Sequence, residues 1–262
     1  MPREQPHRAT DGNGKSTGRR TTTDRNHRHP SPGPSTGHSR RPSHPDHPKN
    51  TWITAVRRWI TGAPGTYIWL AILFVTTVVL HRMSPAFAEE FLRDRSTNLH
   101  ELSQNPVRVL ISSALWIDGA RWLPYAVLFT VFHATAEHWL GTLRWLAVAA
   151  AAHVVATLVS EGALGWAVRY GHAPQSAVNT LDVGVSYALA GVVAVLAYRV
   201  PRLWRYVYVF AVLVLYGIPL IADGRTFTDL GHFTAVLTGL ACYPLTTHAR
   251  RKARKTQRPA AQ

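Results

Sequence analysis

Asp182-Val183-Gly184-Val185-Ser186-Tyr187-Ala188-Leu189-Ala190-Gly191 and Asp229-Leu230-Gly231-His232-Phe233-Thr234-Ala235-Val236-Leu237-Thr238-Gly239 are two apolar runs, each opened by an acid and each carrying small residues at helical spacing. Gly231, Ala235 and Gly239 recur every fourth residue, a row along which one helix backbone can come close to another in a membrane. Gly184 and Ala188 give the first run a comparable row. Contact along these rows sets the Ser186 hydroxyl near the His232 ring, both near the start of their helices, as a serine nucleophile with a histidine base requires. A Gly-x-Ser also packs helices and a single span histidine also serves as a structural donor, so the pattern alone leaves both roles open.

Outward from these runs the chain is a sequence of similar segments. Of 262 residues 46% are apolar and 16% charged, and the two kinds are segregated. Residues 1–50 contain only Met1 and Ala9 as apolar residues and eight of the 17 prolines, so no core can form there. A bilayer core of about 30 Å needs roughly 20 residues of helix, because unpaired backbone groups find no water inside it. Uncharged runs lie between Arg58 and His81, Arg121 and Glu137, Arg144 and Glu161, Asp182 and Arg199, Arg205 and Asp223, and Asp229 and Arg250. They read as six spans, several of them short enough to extend into polar flanks or to sit in a thinned bilayer. The expected organisation is a disordered basic tail over 1–60, an all-α six-span domain over 61–248 and a basic tail over 249–262.

Six spans put both termini on one side, and the excess of Lys and Arg identifies it as the cytoplasm. With that assignment 22 of the 29 basic residues lie inside and seven outside. The expected location is the plasma membrane. An export signal cleaved after Ala86-Phe87-Ala88 is disfavoured by the long polar leader and by His81-Arg82 ahead of that site. The basic leader, with its His27-x-His29, reads as a solvated segment drawn to anionic lipid, with no nucleic-acid partner expected. Between His81 and Arg121 an unusually long outer loop contains the apolar stretch 107–117, which reads as a helix or elbow half-immersed at headgroup level. Cys242 is the single cysteine, which excludes a disulfide framework and a cysteine-based zinc site, and no metal or cofactor is expected.

Gly184-Val185-Ser186-Tyr187, Gly231-His232-Phe233-Thr234-Ala235 with Gly239, Val107-Arg108, and Glu137 with Gly141 together resemble rhomboids, the six-span intramembrane serine proteases, over roughly residues 66–247. The resemblance implies a rhomboid-like bundle with a partly embedded first loop, Ser186 as nucleophile and His232 as base. It also implies a spanning segment of another membrane protein as substrate, and makes a self-sufficient monomer plausible. In the register that keeps Glu137 and Gly141 matched, the positions of the family's two second-span histidines and asparagine hold Trp116, Arg121 and Tyr125. A second register brings His133, His138 and Thr142 to those positions but breaks the Glu137 and Gly141 match. Gly184, Tyr187, Trp116, Arg121 and Tyr125 are therefore the residues expected to line the site, with Tyr187 filling a place the family keeps small. The other span histidines, His133 and His153, read as packing or interhelical hydrogen-bond partners.

Losing one oxyanion donor typically costs about a hundred- to a thousandfold in turnover, which leaves a slow enzyme. The expected function is accordingly a Ser-His intramembrane protease; its rival is an inactive rhomboid pseudoprotease that binds transmembrane helices. Neither paired interrupted helices nor a repeated half supports a transporter.

Overall fold

The computed structural model describes residues 51–222 and 226–247, which are helical with no strand among them. Residues 1–50, 223–225 and 248–262 lie outside the described residues, and with them most of the tail expected over 1–60 and all of that expected over 249–262. Residues 51–60, expected to belong to the tail, lie in a helix, α1 (Thr51–Thr61). It is followed by α2 (Pro64–His81), whose first position is a proline, where the missing N–H removes one of the donors that a helix start leaves unpaired.

The long loop is built of three short helices, α3 (Pro85–Arg93), α4 (Leu99–Gln104) and α5 (Pro106–Ser113). Helix α5 buries Val109 and Ser113 and exposes Val107 and Ile111. Next come α6 (Trp122–Leu128), a π-helical turn at Phe129–His133 and α7 (Ala134–Leu140), which run on without a break. The wide turn directs both Phe129 and His133 into the core, where their rings stack at 4.1 Å. Gly141, at φ 83°, takes a conformation closed to most side chains and reverses the chain directly into α8 (Thr142–Arg169). The remaining helices are α9 (Val185–Val195), prolonged by a 3-10 turn to Tyr198, α10 (Arg202–Ile221) and α11 (Phe227–Ala241).

Helices α2, α8 and α10 are each long and apolar enough to cross a membrane. Val185–Tyr198 and α11 are shorter, at about 21 and 22 Å for 1.5 Å per residue. Helices α8, α9 and α11 pack against one another at the centre of the bundle. Helix α9 is the innermost: ten of its eleven residues are buried, and only Ser186 is not. Helix α10 is the opposite case, with Val212 its one buried residue.

One buried carboxylate fixes the start of α2. Glu137 accepts hydrogen bonds from Gly65 N (2.9 Å), Thr66 N (2.7 Å), Thr66 Oγ1 (2.7 Å) and Thr142 Oγ1 (2.8 Å). An anion at a helix start satisfies orphan N–H groups and the positive end of the helix dipole together. The same side chain thereby joins the ends of three helices: α2, α7 and α8.

Candidate functional site

The close approach of α9 and α11 occurs, but along a different row of α9 from the one expected. A Cβ at Gly239 would strike the Gly191 backbone, and one at Gly231 would lie 2.5 Å from the Tyr187 ring. The α9 residues that meet the Gly231, Ala235, Gly239 row are thus Tyr187 and Gly191, four apart and on one face. Gly184 is pressed instead against the His153 ring of α8, and Ala188 packs with Val148 and Ala149 of α8. The α9 row that meets α11 thus lies one helical position from the Gly184 and Ala188 row.

That displacement decides the site. Neighbouring helix residues point about 100° apart, so with Tyr187 facing α11 the Ser186 side chain is turned aside. The expected Ser186–His232 hydrogen bond does not form. Ser186 Oγ donates to Val183 O at 3.3 Å. The His232 ring meets the edge of Tyr187 at 5.0 Å between centroids and Tyr216 at 6.0 Å, and lies against the Thr228 backbone.

Tyr187 is fully buried, so its polar tip needs partners. Its hydroxyl donates to Asp182 Oδ2 at 2.8 Å, with the hydroxyls of Ser160 and Thr228 beside it. Asp182 also accepts from Thr97 Oγ1 at 3.3 Å, and its carbonyl accepts from Thr97 N at 2.9 Å, which ties the first loop to the head of α9. Glu161 lies within electrostatic reach of Asp182; it is buried, and its Oε2 has no hydrogen-bond partner among the described residues. A buried polar cluster centred on the Tyr187 hydroxyl therefore lies beside Ser186 in sequence. Asp229, in contrast, forms a capping box with Thr226 and serves the start of α11.

The remaining expected site residues are spread out. Tyr125 is half-buried, its ring edge-on to Phe129 at 6.3 Å and within electrostatic reach of Tyr216. Trp116 packs edge-on against Phe91 of α3 at 4.9 Å, and Arg121 is exposed. The second register fares no better. His133 accepts from Trp145 Nε1 at 3.1 Å, and His138 bonds the Trp59 carbonyl at 2.8 Å. Thr142 opens α8, about 27 Å along that helix from Ser160. His153 Nε2 lies 2.9 Å from Leu110 O, which makes it the protonated nitrogen, so it cannot take a proton from Ser113 Oγ at 3.4 Å. An apolar cavity of about 440 Å³ between α2, α5 and α8 is lined by Trp69, Leu110, Trp145 and His153 among others, and by neither Ser186 nor His232.

The model of a family described as rhomboid-like proteins matches residues 58–253. The chain belongs to the rhomboid-like family. Nothing matches it among curated proteins or among solved structures. Within this rhomboid-like chain Thr97, Ser160, Glu161 and Thr228 complete the cluster around Tyr187 and Asp182, and Tyr216 flanks His232; the sequence alone does not single them out. Glu161, the one Asp, Glu, Lys or Arg between Arg144 and Arg169 of α8, is the available signal; in the sequence alone it reads as the end of a span.

Removing the Tyr187 hydroxyl leaves the Asp182 carboxylate without its shortest partner in a buried place. Tyr187→Phe is expected to lower the unfolding free energy by about 1.5–3 kcal/mol, read by SDS titration in bicelles. A change below about 0.5 kcal/mol would show that the cluster does not hold α9.

Proposed function

We propose that this rhomboid-like membrane protein binds spanning helices of other membrane proteins without cleaving them. The observation that carries the reading is the engagement of His232 by Tyr187 and Tyr216 while Ser186 Oγ is spent on Val183 O. A base that receives no proton from the hydroxyl cannot generate an alkoxide. The surface for a client is α10, whose Leu203, Tyr206, Val207, Phe210, Val214 and Ile218 are exposed along an almost unburied helix. Six membrane crossings with both termini in the cytoplasm, at the plasma membrane, complete the proposal, with α6 to α7, α9 and α11 as the crossings beyond the three long helices.

Proteolysis through Ser186 and His232 is the second reading, and one observation favours it: Ser186 is the only residue of α9 that is not buried, so a reagent can reach it. One experiment separates the two. Full-length protein in liposomes is treated with a fluorophosphonate and, separately, given a single-span protein with a destabilised helix, with a photocrosslinking residue at Phe210 or Ile218. Binding predicts adducts from α10 and equal labelling of wild type and Ser186→Ala. Cleavage that disappears in Ser186→Ala establishes the protease instead, and absence of any adduct removes the client reading.

A further inference from the structure

Helix α1 buries none of its residues, yet it is far from uniformly polar. Trp52, Ile53, Val56, Trp59 and Ile60 recur at spacings that place them on one face; Thr54, Arg57, Arg58 and Thr61 occupy the other. The apolar face is open: Trp52 is 68% exposed and Val56 50%. Among the described residues the His138 ring covers part of Trp59 at the C-terminal end of this face, while Trp52 and Val56 stay open.

Its position is nevertheless fixed at one end. His138 Nε2 lies 2.8 Å from Trp59 O, and the two rings are 4.4 Å apart. Gly62 fits against the His138 ring, where any Cβ would collide with it. Ala63 then breaks the helix with φ −132° and ψ 58°, and Pro64 begins α2 immediately. Since Glu137 holds the first N–H groups of α2 and His138 holds the last turn of α1, two adjacent residues fix both sides of the bend.

A helix joined by two residues to the first turn of a membrane-crossing helix stands at headgroup depth. There an apolar face with two tryptophans and a polar face with arginines is the arrangement that lies in the interface. Charge selects the lipid. Arg57 and Arg58 sit on the polar side, and the 50 residues before α1 add ten Lys and Arg against four Asp and Glu. Arginine can run its stem along apolar surface and keep its head among phosphates.

We infer that α1 is an in-plane membrane helix whose Arg57 and Arg58 seat on the headgroups of anionic phospholipid, with Trp52, Ile53, Val56, Trp59 and Ile60 in the acyl boundary. The inference is independent of whether the core binds or cleaves its clients.

The test uses the full chain carrying Cys242→Ala, with a single label at Val56→Cys or Thr54→Cys, in mixed phosphatidylcholine–phosphatidylglycerol vesicles. A nitroxide at position 56 is expected to collide more with oxygen than with a water-soluble nickel chelate, and one at position 54 the reverse. Equal accessibility at the two sites, or dipolar broadening between copies labelled at position 56, overturns the in-plane placement. For lipid class, a fluorophore at position 56 is quenched by nitroxide-bearing phosphatidylglycerol or phosphatidylcholine at equal mole fraction. Each basic residue near an anionic surface is worth about fivefold in local binding, so phosphatidylglycerol is expected to quench severalfold better. The ten basic residues of the preceding segment remain in the Arg57→Gln, Arg58→Gln double variant, so that preference should fall severalfold there. Equal quenching in the parent chain, or a preference undiminished in the double variant, overturns headgroup recognition by these arginines.

Discussion

Glu137→Ala is expected to cost about 3–5 kcal/mol of unfolding free energy, the scale for losing one side of a buried charge network. Four donors converge on this carboxylate, two of them the first available N–H groups of α2. In alanine's place there is no acceptor, no room for bulk water and no negative charge against the helix dipole. Glu137→Gln is expected to cost roughly half as much, because one carbonyl oxygen remains while the amide turns N–H towards N–H. Both are read by SDS titration of the full chain in bicelles, with hydrogen exchange at Gly65 and Thr66 as the local report. Should Glu137→Ala cost less than about 1 kcal/mol, or leave those two amides as protected as before, the carboxylate does not hold the start of α2.

This residue also marks what the sequence makes legible. Glu137 and Gly141 are picked out in the sequence only by the resemblance to rhomboids, and what Glu137 does is three-dimensional: the carboxylate reaches 72 residues back to Gly65. The apolar runs are legible because water-free surroundings demand long uncharged helices, and the Gly231, Ala235, Gly239 row is legible because four-residue spacing defines a helix face. The partner row is not. Gly184 with Ala188 and Tyr187 with Gly191 are both spaced by four, and only the rotation of α9 between α8 and α11 distinguishes them. That rotation is set by where the large Tyr187 ring can be housed and its hydroxyl paired, through Asp182, Ser160 and Thr228 on three separate segments. A single 100° step of helix phase therefore determines whether Ser186 addresses His232, and no periodicity in one chain reports phase between two helices. The helix over Thr51–Thr61 is not legible for a related reason: Trp52 to Ile60 is too short to span a membrane, and with Arg57 and Arg58 it reads as part of the basic leader.

The second large effect concerns the α9–α11 contact. Gly239→Ala adds one methyl group, and that methyl would meet the O, C and Cα of Gly191, atoms of a backbone that cannot rotate away as a side chain can. Helices α9 and α11 must then separate, with a loss of about 1–3 kcal/mol for the methyl and more for Gly239→Leu. The same exchange at Gly162 of α8, where a Cβ meets nothing within 4 Å, is expected to raise stability by about 0.5–1 kcal/mol, because alanine has less backbone freedom to lose on folding. The pair isolates packing from helix propensity, since both sites lie within helices and receive the same group. Separation at Gly239 also carries a local consequence: the row continues through Ala235 to Gly231, so the Tyr187–His232 contact should loosen, visible as a shifted His232 ring resonance in Gly239→Ala and an unshifted one in Gly162→Ala. Equal responses of that resonance to the two variants would mean that the Gly239 contact does not set the spacing at His232, and the argument that helix phase governs the site would fail with it.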